Sequence, residues 1–139
     1  AQGYSTAVFL NYLSKVDGKL TSIDIPYMNI KDSKSKIGYL VPIYLQKYWI
    51  KIIQPDSYSL KRLVSDNIVF DLIHYDSDKS LKGKIINFEL IWSLLKKGGY
   101  FICDDISDDG YFHYFANKKS LSPIVINFQN KFQGILIKN

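Results

Sequence analysis

Apolar and polar residues follow two different periods along the chain, and the clearest pattern lies in its middle. Residues 70–75 form a short apolar run that stops where aspartates begin, which predicts a buried strand. Residues 81–97 carry apolar side chains at helical spacing and end in two glycines at 98–99, which predicts an amphipathic helix and its stop. A further apolar run at 100–103 predicts a second strand.

This strand, helix and strand form a predicted βαβ unit, and such units are parallel and right-handed almost without exception. Both strands therefore end at the same edge of the sheet. Asp76 follows the first strand, while Asp104 and Asp105 follow the second, so we expect the three carboxylates to be neighbours. In open α/β sheets this edge is where ligands bind.

Cys103, at the end of the second strand, is predicted to be a small core residue.

The helical spacing of residues 81–97 assigns the faces of the predicted helix. The predicted core face contains Ile85, Ile86, Phe88, Leu90, Ile91, Trp92, Leu94 and Leu95, and the polar side chains placed mostly off that face are Lys82, Lys84, Glu89 and Lys96.

The remaining segments complete an α/β order. A turn containing Gly3 opens a predicted first helix, and two apolar runs near the end of the chain predict an antiparallel hairpin. The predicted fold class is therefore an α/β sheet that is mostly parallel, with a C-terminal antiparallel hairpin. The other predicted segments are strands at 19–25, 49–53, 123–128 and 134–138, helices at 37–47 and 57–64, a polar, lid-like loop at 27–36, and a loop with a short helix at 107–120.

The composition favours one folded domain. With 47% hydrophobic and 15% aromatic residues, the 139-residue chain has enough apolar side chains for a single core. No apolar run approaches the roughly 18 residues that span a bilayer, so no membrane partner is expected. A single cysteine excludes a disulfide framework and is typical of a reducing compartment, which predicts a cytoplasmic protein.

The net charge of +5 does not predict a nucleic-acid partner. The lysines are scattered and Arg62 is the single arginine, whereas surfaces that track phosphates show a concentrated basic stripe. Every acid except Glu89 is an aspartate, and most of the aspartates follow predicted strands. A basic body with an acidic edge suits a bound cation or a positively charged cofactor better than a polyanion.

Three positions in the first half of the chain are candidate ligand contacts. A glycine directly before a helix, such as Gly3, lets a ligand approach the backbone. Asp24 ends a predicted strand, where a carboxylate can hold both hydroxyls of a ribose. Asp56, with Ser57, follows the next strand and either contacts a ligand or caps the helix, and both interpretations stay open.

Several segments resemble a class I S-adenosylmethionine (SAM)-dependent methyltransferase. FDLIHYDSDKSLKG, ELIWSLLKKGG, YFICDDISDD and QNKFQGILIKN are similar to the bacterial branch called methyltransferase domain 24, which is related to macrocin O-methyltransferases and cephalosporin-hydroxylase-like proteins. The resemblance covers nearly the whole chain and is strongest from Asp71 to Asp109. It implies a Rossmann-like sheet and methyl transfer from SAM.

The resemblance also implies roles for individual residues. Asp76, Asp104 and Asp105 resemble the acids that hold a divalent cation in metal-dependent relatives, and three hard oxygen ligands suit Mg²⁺, which orients and acidifies a substrate hydroxyl. The residues that the resemblance places at SAM are Gly3, Tyr4, Ser5, Asp24, Asp56, Ser57 and Asp76.

Two residues near the acids are candidates for a catalytic base. Lys79 stands where many relatives have histidine, and it could accept a proton only if burial lowers its pKa. The alternative is a solvated lysine or one paired with Asp78. His74 lies within the strand with the same side-chain parity as Asp76, and it is either a base or a core histidine with satisfied hydrogen bonds.

The family's first strand and its acidic glycine-containing segment would lie before Ala1. We therefore expect residues 1–139 to be a single methyltransferase domain that is incomplete at its N-terminus. Without that central strand the sheet would form two halves with unpaired edges.

The sequence thus predicts a methyltransferase that modifies a hydroxyl of a small molecule or glycan, assisted by Mg²⁺, with assembly into a homo-oligomer as an open expectation. Two other functions remain open. One is a binding module that keeps the fold without catalysis. The other is a dinucleotide-dependent oxidoreductase, which the lack of a G-x-G-x-x-G motif makes less favoured. The sequence does not predict the methyl acceptor.

Overall fold

The computed structural model describes residues 2–26 and 31–139. The chain divides into two compact units, Ala1–Ser59 and Leu60–Asn139. Among the described residues, the first unit holds a two-stranded sheet and the second a four-stranded sheet.

The first unit pairs its two strands in parallel. β1 runs over Leu20–Asp24 and β2 over Trp49–Ile53, and they pair from Leu20 opposite Trp49 to Asp24 opposite Ile53. Both predicted strands are therefore confirmed within a residue of their ends. The helical segments are α1 Tyr4–Leu13, α2 Ser33–Lys36, the 3₁₀ helix Ile43–Tyr48, and α3 Asp56–Ser65, which begins in this unit.

A small apolar cluster holds the first unit together. Leu10 of α1 is fully buried against Val41 and Leu45, and Trp49 packs against the same cluster. The indole Nε1 of Trp49 also donates to the Ser22 hydroxyl at 2.7 Å. These contacts join α1, the 3₁₀ helix and the sheet.

The predicted helix at 37–47 is wrong in its first half. Only Ile43–Tyr48 is helical, as a 3₁₀ turn. Gly38 adopts a φ of 74°, which ends the preceding turn, and Pro42 has no amide hydrogen to continue a helix. The predicted loop at 27–36 contains α2, and its residues 27–30 lie outside the described part of the chain.

The second unit contains the predicted βαβ unit and hairpin. Its elements are β3 Phe70–Tyr75, α4 Leu81–Leu94, β4 Leu95–Cys103, α5 Tyr111–Lys118, β5 Ile124–Phe128 and β6 Lys131–Ile137. The strand order is β3-β4-β6-β5. The β3–β4 pair is parallel, while β4–β6 and β5–β6 are antiparallel, so this unit combines the predicted parallel pair with the predicted C-terminal hairpin.

Aromatic rings form the core of the second unit. Phe88 of α4 is fully buried. Its ring meets those of Tyr75, Phe101 and Phe115 edge to face, with centroids 5.4, 4.9 and 5.3 Å away. Such pairs add about 0.5–1.5 kcal/mol each beyond their buried area. The cluster therefore fixes α4 and α5 against β3 and β4.

The two glycines at 98–99 lie within β4 instead of ending a helix at residue 97. Pairing with β3 passes from Phe70–Leu95 directly to Leu72–Tyr100, so residues 96–99 lie outside the ladder. Gly98 has a φ of 76°, and its amide donates to the Lys138 carbonyl at 2.7 Å. The two glycines form part of a β-bulge, and the paired strand resumes at Tyr100 as predicted.

The end of α4 at Leu94 is stabilised by Lys138, the residue that directly follows β6. The Lys138 ammonium donates to the carbonyls of Trp92 and Leu95, at 2.6 and 2.7 Å. Carbonyls in the last turn of a helix lack partners within the helix, and Lys138 provides them. This contact across more than 40 residues was not predictable from the local pattern.

The predicted faces of α4 are partly wrong. Ile85 and Ile86 were assigned to the core face but are 47% and 39% exposed, whereas Lys84, assigned off that face, is only 2% exposed. The apolar residues surround the helix, so their spacing does not define one stripe. The residues buried in α4 are Gly83, Lys84, Asn87, Phe88, Ile91 and Leu94.

The terminal hairpin is longer than predicted. β6 begins at Lys131, which pairs with Phe128, three residues before the predicted start at residue 134. Gln129 and Asn130 both have positive φ, 50° and 61°, as a two-residue hairpin turn of type I′ requires. No helix in the described part of the chain is both long and apolar enough to cross a membrane.

Candidate functional site

In the first unit, two predicted carboxylates lie at one edge of the parallel pair. Asp24 ends β1 opposite Ile53, the last residue of β2, and Asp56 begins α3 three residues later. Asp24 Oδ1 accepts a hydrogen bond from the amide of the next residue at 2.8 Å, and Asp56 Oδ1 does the same at 2.6 Å. Both carboxylates, and Ser57 beside Asp56, are partly exposed. This arrangement suits ligands with hydroxyl groups.

Gly3 has a structural reason to be glycine. Its φ is 97°, and a Cβ there would lie 2.7 Å from the Cα of Gly38. Packing against Gly38 therefore requires glycine whether or not a ligand binds. Gly3 precedes α1 as expected, while Tyr4 is 76% exposed and Ser5 is also exposed.

In the second unit, Asp104 lies between two side chains. Its Oδ1 accepts a hydrogen bond from Gln133 Nε2 at 2.5 Å and lies 3.3 Å from His74 Nε2. The Asp104 amide donates to the carbonyl of Tyr75 at 3.0 Å, so the parallel strand ends hold the acid in place. The His74 side chain is 26% exposed and that of Asp104 is 21% exposed. An imidazole beside a carboxylate is an arrangement that can move a proton.

Lys79 joins the other two predicted acids. Its ammonium donates to Asp105 Oδ2 and lies 3.5 Å from Asp76 Oδ1. The hydrogen bond with Asp105 raises the pKa of Lys79 and lowers the pKa of Asp105. A base needs a shift of the Lys79 pKa in the opposite direction. The alternative partner Asp78 is engaged locally, where its Oδ1 accepts from the amide of Ser80 at 2.9 Å.

The three acids predicted to bind a metal do not share one space. Asp76 and Asp105 are bridged by Lys79, while Asp104 is engaged by Gln133 and His74. Within residues 2–26 and 31–139, no group of three or more histidine, cysteine or acidic residues is arranged to hold a metal ion. In this arrangement the donor set does not fit Mg²⁺, which needs several oxygen ligands around one centre.

The carboxyl ends of β3 and β4, where Asp76, Asp104 and Asp105 lie, form the second edge. A buried ion pair lies near it. The ammonium of Lys84 is 3.2 Å from Asp109 Oδ2, with the Lys84 side chain 2% exposed and that of Asp109 19% exposed. Asp109 Oδ1 also accepts from the amide of Tyr111 at the start of α5. The pair thus connects α4 with the loop that follows β4. Neither this pair nor the contact of Gln133 with Asp104 was predicted from the sequence.

Polar groups at the start of α4 support the loop after β3. The Tyr75 hydroxyl donates to the carbonyl of Asp78 at 2.6 Å and accepts from Asn87 Nδ2 at 3.3 Å. The Ser80 hydroxyl accepts from the amide of Gly83 and caps the helix. Lys84 lies four residues before Phe88 and Asn87 four residues before Ile91, so each shares a helix face with a buried apolar residue. Apolar residues on all sides of α4 hide that face in the sequence.

Cys103 is a fully buried free thiol, as predicted. Burial raises the pKa of its thiol to about 12, which keeps it protonated and unreactive at neutral pH. A cleft of about 320 Å³ lies elsewhere in this unit, and none of the predicted site residues lines it. Its lining residues are Ile106, Ser107, Gly110, His113, Val125 and Phe132.

Parallel strands that end in carboxylates, followed by an antiparallel hairpin, define the Rossmann-like α/β class, which confirms the predicted fold class. A family model described as a methyltransferase domain matches residues 1–106. The chain therefore belongs to this methyltransferase family, as its sequence motifs predicted. No curated protein matches it.

Solved structures share the fold at low identity. An O-methyltransferase from Bacillus cereus in complex with SAH aligns with a TM-score of 0.63 and 15% identity, covering 97% of this chain and 81% of that chain. The O-methyltransferase TomG from Streptomyces achromogenes, involved in tomaymycin synthesis and in complex with SAM, aligns with a TM-score of 0.68 and 15% identity, covering 99% and 70%.

Proposed function

We propose that the chain is a cytoplasmic, SAM-dependent O-methyltransferase that modifies a hydroxyl group of a small molecule or glycan. Membership of the methyltransferase family supports methyl transfer, and the two solved relatives named above are O-methyltransferases. The observation that carries the proposal is the His74 imidazole, 3.3 Å from Asp104 at the carboxyl edge of parallel strands. A hydroxyl acceptor must lose a proton, and imidazole is the commonest base for that step.

The cofactor would be held mainly at the first edge, which is the carboxyl end of the β1–β2 pair with Asp24 and Asp56. The carboxylate of Asp24 at the end of β1 suits the two hydroxyls of a ribose, and the polar groups of Asp56 and Ser57 lie at the same edge of the β1–β2 pair. A donor set of carboxylates also suits a cofactor that carries positive charge. The proposed contacts in the first unit are Gly3, Tyr4, Ser5, Asp24, Asp56 and Ser57.

In the proposed mechanism, His74 accepts the proton of the acceptor hydroxyl. Asp104 orients the imidazole and stabilises its protonated form, as a carboxylate does in other histidine-based sites. SAM supplies a methyl group that its sulfonium centre already activates, so the chain mainly has to align the reactants. Lys79, the other predicted base, has a raised pKa, and we therefore assign proton transfer to His74.

Mg²⁺ assistance and assembly into a homo-oligomer stay predictions of the sequence. No step of the proposed mechanism passes through a metal, because Asp76, Asp104 and Asp105 hold other partners. Light scattering of the purified chain measures the oligomeric state directly.

The cofactor proposal is tested by ligand-induced stabilisation. S-adenosylhomocysteine at 100 times its dissociation constant is expected to raise the free energy of unfolding by about 2.7 kcal/mol. Asp24→Ala should abolish the shift, whereas Asp66→Ala, which removes an exposed carboxylate paired with Arg62, should retain it. A shift that survives in Asp24→Ala would remove Asp24 from the cofactor site.

No shift with a folded wild-type chain would favour the non-catalytic binding module instead. Stabilisation by NADH but not by S-adenosylhomocysteine would favour the dinucleotide-dependent oxidoreductase. The same titration therefore separates the three functions.

The assignment of the base is tested by product formation. SAM is incubated with panels of phenols and sugars, and mass spectrometry detects acceptors that gain one methyl group. His74→Gln is expected to lower the turnover number by about 10²–10⁴-fold, the usual contribution of a general base, without weakening the binding of S-adenosylhomocysteine. His113→Gln alters an exposed histidine and is the matched control. Turnover unchanged in His74→Gln would contradict the assignment.

A further inference from the structure

Lys79 occupies the position between two acids that a metal ion would need. It lies in the loop after β3, and its ammonium donates to Asp105 in the loop after β4. The same ammonium is 3.5 Å from Asp76 Oδ1. One positive charge from this chain thus bridges two of the three acids predicted to hold Mg²⁺.

The third acid is held apart from this bridge. Asp104 Oδ1 accepts from Gln133 at 2.5 Å and lies 3.3 Å from His74. The acids therefore form two separate polar groups, one around Lys79 and one around Asp104. A divalent ion bound by all three would have to displace Lys79 and break the contact with Gln133.

A divalent ion and the Lys79 ammonium would repel each other, so they compete strongly for the same carboxylates. A divalent ion is bound by oxygen atoms at about 2.0–2.6 Å, so its charge would lie within a few ångströms of the ammonium and be repelled by it. The bridge is half exposed, with the Lys79 side chain 48% and the Asp105 side chain 25% accessible. Lys79 can therefore be replaced without removing a core residue.

We propose that Lys79 supplies the cation of this edge in place of a divalent metal, and that Asp76 and Asp105 bind such a metal tightly only when Lys79 is removed. The bridge fixes the loop after β3 to the loop after β4, which is the structural task a metal would otherwise perform. Lys79 is in this sense a positioning residue.

Direct binding of Mn²⁺ tests the proposal without any enzymatic assay. Free Mn²⁺ is measured by electron paramagnetic resonance with the full chain as wild type and as Lys79→Met. The variant is expected to bind Mn²⁺ at least about tenfold more tightly, since a nearby unit charge is removed. The matched control is Lys82→Met, which removes an equal charge from an exposed position three residues away and should stay within about twofold of wild type because its charge is screened by solvent.

A second pair of variants locates the ion. Lys79→Met combined with Asp105→Asn should lose the added affinity, whereas Lys79→Arg keeps the cation and should bind Mn²⁺ as weakly as wild type. If Lys79→Met does not fold, as judged by circular dichroism, Lys79→Gln takes its place. Wild type that binds Mn²⁺ as tightly as the methionine variant, or a folded variant that gains no affinity, would overturn the proposal. Loss of methyl transfer would bear on the proposed function alone.

Discussion

The two carboxylate edges differ in the origin of the contacts that hold their acids. In the first unit, Asp24 and Asp56 each accept a hydrogen bond from the amide of the next residue. In the second unit, Asp104 and Asp105 accept from side chains that are 29 and 26 residues away in the sequence. The first edge thus shows local backbone hydrogen bonds to its acids, and the second shows cross-links between elements.

Because of this difference, substitutions at the two edges should affect ligand affinity and stability to different extents. A hydrogen bond from the amide of the next residue links no second element, so the loss of that bond should affect ligand affinity more than stability. A carboxylate that links two loops contributes to both, because its partner belongs to another element. Substitutions at the second edge should therefore change stability as well as function.

The largest effect is expected beneath the second edge, at the Lys84–Asp109 pair. Asp109→Ala leaves the Lys84 charge, in a side chain only 2% exposed, without its carboxylate. Breaking a buried pair from one side costs about 3 kcal/mol, and the lost hydrogen bond to the Tyr111 amide acts in the same direction. Urea denaturation followed by near-ultraviolet circular dichroism measures the change.

The control for this prediction removes both charges. Lys84→Met with Asp109→Leu should recover most of the loss, because a buried ion pair can be replaced by apolar side chains at little cost. A midpoint for Asp109→Ala equal to that of wild type would mean that the pair does not support the loop after β4.

Much of the backbone could be predicted from the sequence because local patterns determine it. The apolar run at 70–75 ends at aspartates, and the structure has a strand with these bounds. Its parallel partner follows from the βαβ rule. The acids at the strand ends were predictable for the same reason, since only the strand boundaries are needed to place Asp76 and Asp104.

The cross-links were not predictable because they depend on packing between distant segments. Lys84 looks like a surface residue in a helix that is apolar on all sides, and only the phase fixed by Phe88 makes it buried. Gln133 reaches Asp104 because β6 lies beside β4, and the sequence does not give that register. The bridge from Lys79 to Asp105 likewise requires the positions of two loops.

A smaller effect is expected at this bridge, and its sign follows from the pKa of Asp105. The hydrogen bond from Lys79 lowers that pKa, so the carboxylate stabilises the fold above the unfolded pKa of aspartate, near 3.9, and the contribution is lost as the pH falls below it. Because both side chains are partly exposed, solvent screening limits the contribution to about 0.5–1 kcal/mol.

Asp105→Asn should therefore lower the free energy of unfolding by this amount at pH 7 and flatten its pH dependence between about pH 5 and 3. Asp24→Asn, where Oδ1 accepts from the amide of the next residue, should change both quantities less. Unfolding curves recorded across this pH range compare the two variants. Equal effects would remove the distinction between the edges.

The smallest effect is expected at an ion pair on the surface of the second unit, away from either edge. Glu89 of α4 accepts hydrogen bonds from Lys118 and Lys119 of α5 at 2.6 and 2.8 Å, and the bond from Lys118 holds the pKa of Glu89 below its ordinary value. Like the bridge at Asp105, this cluster links two elements, but the Glu89 side chain is 40% exposed. Glu89→Gln should cost about 0.5 kcal/mol at pH 7, and about 1 M salt should remove most of that difference. A loss as large as that of Asp109→Ala, or one insensitive to salt, would mean that linking two elements determines the value of an ion pair and that burial does not.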